Sequence, residues 1–471
     1  MRLHPPLPKE LELPPRKRYS VLRDPVHGDV YLTHEELRLL DTPEMQRLRG
    51  VKQLGSAYLV YPGAVHTRFE HSIGSLHVAQ KMIEAIGRNA DFEPAACVAV
   101  SEEEARVIRI ASLLHDCTHI PFGHNFEDQD GIFWRHDSAY RFERLLGRET
   151  KLGRELAELG LADDVLRVLT KPKGTAGEQD VPHYWREIVS GTVCSDILDY
   201  LARDAYFTGL RLEIDPRVAS YFKVDRRTSR LYIDLAKHDL LREDILSEIV
   251  RMLEARYYFS ERVYYHHAKV VAGAMIARAV ELALSLDLVK EEDFYNQTDA
   301  SLLDMLDRAA AASTDKTATR VRELVRAYRE RRLYKRACVF PLYRNEDVQE
   351  DIVERYFGPG GAPRKREVEE RIQDLMRFAS GREIDILLYC PAKRMQLKEA
   401  RMHVRWPGAP EVAPLSTYAA AIPRLEDLRS SYRNLWKFYV LADTSDPALL
   451  SKIQEIAKGE FAGATNVYSL S

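Results

Sequence analysis

The run Ile110-Ala-Ser-Leu-Leu-His115-Asp116-Cys-Thr-His119-Ile-Pro121-Phe-Gly-His124 constrains this chain more than any other stretch. Apolar spacing over 102–118 predicts an amphipathic helix. That helix delivers an adjacent His–Asp pair and then two further histidines, with Pro121 as the stop. Imidazole and carboxylate are donors for Zn, Fe or Mn, and a rigid element fixes their aim. On a helix, His115 and Asp116 lie about 100° apart, so both reach one ion only from the edge of a face, with His119 one turn on. Two donors do not complete a site, so other segments have to supply the rest.

The chain has 471 residues, too many for one ordinary domain and enough for a sizeable core. A hydrophobic fraction of 45% with 30% charged residues is that of a soluble globular protein. The net charge of −3 gives no global field for nucleic acid, so any anion site must be local. Five cysteines without CxxC spacing argue for reduced thiols and against a disulfide framework or a thiolate zinc site. No apolar leader and no apolar run long enough for a membrane are present, so the expected location is cytoplasmic.

Residues 1–19, rich in proline and charge, read as a flexible arm. VLRDPVHGDVYL has turn residues between β-branched ones and predicts a hairpin. Thr33 with Glu36 forms a capping box for a helix through Leu40, and Asp41-Thr42-Pro43 opens another over PEMQRLRGVKQL. Tyr58 to Val65 reads as extended. Helices are expected at 70–90, 102–118, 134–147, 151–171 and from His183 to Asp204, with a surface loop at 171–182. A strand pair, 219–225 and 230–235, precedes helices at 240–260, 261–287 and 299–333. Beyond these, 357–367 reads as a basic loop, 384–390 and 400–406 as strands, and the last sixty residues as helix, strand and helix. The expected fold is mainly α: a helical core over 20–335 with short strand insertions, then a smaller α+β lobe over 336–471.

Seven of the fifteen histidines fall between His66 and His136. A single histidine on an apolar face is more often a core or cap residue than a ligand, but the cluster shifts that balance. His71 opens one helix, His115 and Asp116 sit on the next, and Asp196 lies on a third. Three helices can thus bring four N/O donors to one centre, a set suited to a catalytic Zn, Fe or Mn ion with a position left for water.

The order H…HD…D resembles the HD superfamily of metal-dependent phosphohydrolases. Its dNTP triphosphohydrolase branch is similar in more detail. RDPVHGDVYLTHEELRLLDTPEMQRLRGVKQLGSAYLVYPGAVHTRFEHSIG looks like that branch's opening, LLHDCTHIPFGH like its HD…HxPFxH segment, and SDILDYLARD like its D…DYxxRD segment. The likeness spans roughly 20–335, without a SAM domain. It implies His71, His115, Asp116 and Asp196 as metal ligands, and hydrolysis of dNTPs to deoxynucleoside and triphosphate, with Mg2+ accompanying the phosphates. His124 matches the acid, Glu127 its orienting carboxylate, and His119 and Arg68 phosphate contacts. His136-Asp137 stands where His-Glu is common. Gln53 and Leu54 match the sugar's neighbours, Tyr264 the aromatic beneath it, and Tyr200, Asp204, Arg256 and His266 further substrate contacts.

The branch usually has a lysine after the fourth ligand, facing the triphosphate; here Ile197 stands there, and Lys269 is the candidate replacement. The resemblance also implies a homo-oligomer, a tetramer by preference, activated by nucleotide. Val21, Asp41, Gln46 and Arg49 match base-reading positions, and Arg331, Leu333 and Lys335 contacts from a neighbouring chain, while Ser20 replaces a common lysine. Two rival readings stand beside this one. The first is an HD phosphohydrolase acting on another nucleotide or on single-stranded nucleic acid; the second is a non-catalytic nucleotide sensor that oligomerises. An oxidative di-iron enzyme is disfavoured, because the extra histidine pair it needs is not evident.

Overall fold

The computed structural model describes residues 19–127, 133–170, 181–212, 215–390 and 401–470. Most of the expected arm (1–19) and of the 171–182 loop lies outside them. The described chain opens with an antiparallel hairpin, β1 (Tyr19–Asp24) and β2 (Gly28–Thr33). Asp24 Oδ1 accepts from the N–H groups of Val26 and His27, and Gly28 takes φ +79°, the region that glycine enters without penalty. The Thr33–Glu36 capping box forms as expected and starts α1 (His34–Leu40).

The next segment differs from expectation. α2 (Pro43–Gln46) yields to a 3-10 turn at Arg47–Gly50, where the Arg47 guanidinium is committed to the carbonyls of Cys117, His119 and Gln297. Residues 58–65 are not extended either: a second 3-10 turn, Gly55–Leu59, is entered through Gly55 at φ +52°.

α3 (Arg68–Phe92) and α4 (Glu102–Leu114) form the centre of the molecule, each begun by a capping box. α4 stops at Leu114, so His115, Asp116 and His119 lie in the turns that follow rather than on the helix. Short helices come next: α5 (Gly123–Glu127), α6 (Ala139–Leu145), α7 (Lys151–Glu158), α8 (Ala162–Leu169), α9 (His183–Ser190) and α10 (Ser195–Thr208). The single helices expected over 151–171 and 183–204 are thus broken, the first at Gly160 with φ +71° and the second at the turn through Gly191.

β3 (Phe222–Val224), β4 (Leu231–Asp234) and a small hairpin, β5 (Ala236–Lys237) with β6 (Leu240–Leu241), lead to α11 (Glu243–Phe259). A π turn at Ser260–Tyr264 joins α11 to α12 (His267–Ser285), which is buried on nearly every side. α13 (Glu291–Phe294), α14 (Asp299–Ala311) and α15 (Lys316–Arg329) follow, with Asp315 capping α15 where one helix over 299–333 was expected. The remainder comprises β7 (Lys335–Pro341), α16 (Glu346–Phe357), α17 (Gly361–Ser380), β8 (Ile386–Tyr389), β9 (His403–Arg405), β10 (Ala413–Pro414), α18 (Pro423–Arg433), β11 (Lys437–Ala442) and α19 (Pro447–Glu460). The basic stretch expected to be a loop over 357–367 is mostly the first turns of α17, entered through Gly360 at φ +73°.

The three-stranded antiparallel sheet β7-β11-β8 is covered on both faces. Phe340, Phe438, Val440 and Leu388 join the core that contains α16, α17 and α19, while Val339, Tyr439, Leu441 and Tyr389 join the one around α12 and α15. Burial on both faces explains why these strands read as continuous apolar runs. The second sheet, β10-β9-β4-β3, pairs β4 in parallel with β9, so strands from both sides of residue 336 share one ladder.

α10 crosses α3 at Gly74, where a Cβ would collide with the Asp199 carboxylate and the Arg203 guanidinium. Gly74→Ala is therefore expected to destabilise the protein by about 1–3 kcal/mol, the usual cost of overpacking. Denaturant melts should show it as a shift in midpoint with unchanged slope.

Candidate metal centre and its cavities

Capping sets the position of His71: Thr67 and Glu70 fix the first turn of α3, and His71 follows one residue later, fully buried. Its Nδ1 donates to Asp199 Oδ2 at 2.7 Å, which leaves the Nε2 lone pair facing inward. His115 Nδ1 likewise donates to the Ser112 carbonyl at 2.8 Å. The two Nε2 atoms consequently face each other at 3.2 Å. Asp196, in the first turn of α10, brings Oδ1 to 3.1 Å from His71 Nε2 and 3.6 Å from His115 Nε2. Asp116 brings its oxygens to 3.7 Å from His71 Nε2 and 3.5 Å from His115 Nε2.

A tetrahedral ion with bonds of about 2.1 Å sets neighbouring donors about 3.4 Å apart, so this spacing is that of ligands around one centre. His71, His115 and Asp116 form one of the His/Asp/Glu groups able to hold an ion. The local charge agrees. Burial works against an imidazolium at His71, yet the Asp196 and Asp199 carboxylates outweigh it and raise its pKa to about 10. His115 is shifted upward too, with burial outweighed by Asp116 and Asp196. Carboxylates that draw protons onto two buried imidazoles equally favour a divalent cation in their place.

Asp199, His27, Arg203 and Asp24 carry no site role in the sequence reading. The buried Asp199 carboxylate receives His71, the His27 ring at 2.6 Å, and both Nε and Nη2 of Arg203 at 2.9 Å. Arg203 Nη1 in turn reaches Asp24 at 2.8 Å. The hairpin turn Asp24–Gly28 is thereby tied to the helix that carries Asp196. The D…DYxxRD spacing already places Asp199 and Arg203 one turn apart, and that was the available signal.

A cavity of about 450 Å³ opens beside the centre, with Gln53, Leu54, Arg68, His119, His124, Tyr200, Asp204, Arg256, Tyr264 and Lys269 in its wall. Arg68 Nη1 lies 2.5 Å from Asp116 Oδ2, and this guanidinium outweighs burial to hold the Asp116 carboxyl well below its usual range. Arg68 Nε, His119 Nδ1 and Gln53 Oε1 are buried with no protein partner among the described residues. Each such group costs about 1–3 kcal/mol unless something meets it, and all three belong to residues of this one wall. Burial, with Arg68 and His136 nearby, keeps His119 neutral, far below the usual imidazole range.

Glu127 sits differently from the expectation. It accepts from His136 Nδ1 at 2.7 Å and from the His136 N–H at 3.0 Å, whereas His124 Nδ1 stands 3.8 Å away. Glu127 is therefore the orienting carboxylate of His136, which stacks on His119 at 3.8 Å. His124 is 60% exposed at the cavity mouth, and its pKa is lowered by partial burial together with Arg68 and His136. Asp137 pairs with Arg135 at 2.9 Å. On the far side, Tyr264 on the π turn donates to Asp204 Oδ2 at 2.6 Å, while His66 holds Oδ1 at 2.9 Å. Lys269 donates to the Tyr264 carbonyl at 3.1 Å. Tyr389 of β8 completes the wall, a contribution from the C-terminal lobe that the sequence did not announce.

His266 is not brought to this cavity; it caps α12 by accepting from the Ala268 N–H. The seven activator positions, expected at a contact between chains, lie outside this wall as well. Val21 is 52% exposed on the hairpin, and Asp41 is exposed beside Gln46, which binds the Leu40 carbonyl and the Arg49 guanidinium. Arg331 takes φ +55° and donates to the Leu59 carbonyl, with Leu333 and Lys335 leading into β7. Among the described helices none is long and apolar enough to cross a membrane, and all five cysteines are buried.

Residues 68–204 match the HD domain model and 237–455 the HD-associated region. This is an HD-domain protein. An uncharacterized protein of Methanocaldococcus jannaschii is 33% identical over 61% of this chain and 55% of its own length. The deoxynucleoside triphosphate triphosphohydrolase SAMHD1 of Mus musculus is 29% identical over 67% of this chain and 53% of its own. An uncharacterized protein of Bacillus subtilis is 30% identical over 56% of each. The chain thus spans about half the length of the curated relatives it matches. A crystal structure of a hypothetical protein from Aquifex aeolicus superposes with a TM-score of 0.62 over 93% of this chain and all of that one, at 21% identity, and shares the fold.

Two substitutions separate holding the ion from orienting its ligand. Asp196→Ala removes a donor and should abolish stoichiometric metal binding, read by elemental analysis of the purified protein. Asp199→Asn keeps the shape but loosens His71, and should lower metal affinity about 10–100-fold in chelator competition.

Proposed function

We propose that this protein is a metal-dependent phosphohydrolase that converts dNTPs to deoxynucleosides and inorganic triphosphate, under nucleotide activation in an oligomer. The observation that carries the reading is the quartet His71, His115, Asp116 and Asp196, with nitrogen and oxygen donors 3.1–3.7 Å apart and no thiolate, at the edge of a cation-lined cavity. The likeness to dNTP triphosphohydrolases across this core supports the substrate class.

A divalent ion such as Zn, Fe or Mn held by the quartet supplies Lewis acidity and acidifies water in contact with it. The chain's own groups do the rest. Arg68, Lys269 and Arg256 face the cavity as counter-charges for a phosphate chain carrying Mg2+, and neutral His119 offers one further hydrogen bond. His124 stands at the mouth as proton donor to the 5′-oxygen; a polyanion that neutralises Arg68 raises its pKa toward that role. Glu127 acts through His136, holding that ring against His119. Gln53 Oε1 and the Asp204–Tyr264 pair meet the 3′-hydroxyl side of the sugar, and the Tyr264 ring closes the space a 2′-hydroxyl would need. The activator surfaces around Val21, Asp41, Gln46 and Arg49, and around Arg331, Leu333 and Lys335, belong to the same proposal.

The test is incubation of the metal-loaded protein with each dNTP, with and without a second nucleotide, scoring deoxynucleoside and triphosphate separately. Both products should appear, and His115→Ala should remove them by more than about 10³-fold, since it disables the ion on which the chemistry depends. Release of orthophosphate or pyrophosphate in their place would refute the proposed bond of cleavage. Activity indifferent to the second nucleotide would remove only the activation.

A further inference from the structure

A second cavity of about 620 Å³ adjoins the first. Asp116, His136, Asp196, Tyr200 and Arg256 belong to both walls, so the two spaces meet across the proposed metal centre. The first cavity alone is within the ~300–1,000 Å³ of small-ligand sites. A mononucleotide that ends at its terminal phosphate leaves the second unexplained.

The lining is mixed. Arg230, paired with Glu187 at 2.7 Å, and Arg401, which has no ion-pair partner among the described residues, supply cations. Ile197, Phe222, Leu231 and Met402 supply an apolar wall. Ile197 is the residue after the fourth donor; it is 6% exposed and contributes to this cavity only. A bare polyphosphate gains nothing from aliphatic and aromatic side chains, because taking its charge out of water is unfavourable. An organic group attached to the end of that polyphosphate does gain, since its apolar surface leaves water.

We propose that the second cavity receives an organic group carried on the terminal phosphate, so that nucleoside polyphosphates esterified at both ends, dinucleoside polyphosphates among them, are substrates. This rests on the phosphohydrolase reading of the centre and deepens its substrate class. In the reaction, water oxygen bonds to the α-phosphorus, the bond from phosphorus to the 5′-oxygen breaks, and that oxygen takes a proton. The released polyphosphate keeps its ester.

The experiment compares dATP, its γ-phenyl ester and bis(deoxyadenosine) tetraphosphate on the metal-loaded full chain, with products read by mass spectrometry. Both esters are expected to react with kcat/KM within about tenfold of dATP or better, the phenyl ester leaving as phenyl triphosphate. Ser190→Trp, at the exposed rim of the second cavity, should lower the ester-to-dATP ratio by at least about tenfold. Ile197→Lys should move that ratio the same way by favouring the free triphosphate, and serves if the first variant does not fold. Hydrolysis of dATP with esters more than about tenfold slower overturns the inference and leaves the phosphohydrolase reading standing. No hydrolysis of any of the three overturns both. Cleavage of a short single-stranded oligonucleotide faster than either ester also overturns it, assigning the cavity to nucleic acid.

Discussion

The arrangement around the centre depends on one buried carboxylate. Asp199 accepts from His71, His27 and Arg203 at once, and so fixes the ring that presents the first donor, the helix that presents the fourth, and the hairpin packed behind both. A buried charge is tolerable only when paired and hydrogen-bonded on all sides. Here the same contacts that satisfy Asp199 also set the His71 tautomer, so stability and ligand orientation have a single cause. Gly74 is the packing condition for that arrangement, because any side chain there would stand where the carboxylate and the guanidinium meet.

Around this point, charge is sorted into zones. Carboxylates surround the two facing imidazoles and make the centre attractive to a cation. Arg68 touches Asp116 from the other side and begins the cationic wall. The guanidinium beside this carboxylate does two things: it keeps the carboxylate ionised, and it places positive charge in the cavity wall next to the proposed donors. The imidazoles of His119 and His136 lie between these zones. Burial, with Arg68 and the stacked His136 beside it, holds His119 neutral, so it offers a hydrogen bond without adding to the charge.

The four proposed donors could be gathered from the sequence because histidines crowd 66–136 and helical segments could bring His71, His115, Asp116 and Asp196 together, although α4 ends before His115 and α10 begins just before Asp196 where longer helices were expected. The hairpin and the first capping box were legible from their turn and cap residues. What could not be read depends on distant partners. Glu127 was assigned to His124, three residues away, but it serves His136, nine away and delivered by a separate turn. The helix expected after Pro43 stops because Arg47 is held by carbonyls of residues 117, 119 and 297. Long apolar-spaced runs over 151–171 and 299–333 satisfied helical periodicity, yet glycine and aspartate caps divide them, a local signal outweighed in reading by the period. The basic stretch near 360 looked like a loop because glycine and proline dominate it, but proline in a first turn costs a helix nothing.

The parallel pairing of β4 with β9, and the placing of Tyr389 in the cavity wall, have a consequence in time. All four donors are synthesised within the first two hundred residues, but the wall beside them awaits a strand made almost two hundred residues later. A nascent chain can therefore hold all four proposed donors while the cavity beside them is still open along one side, and the closing of that wall waits on β8 rather than on the donor set.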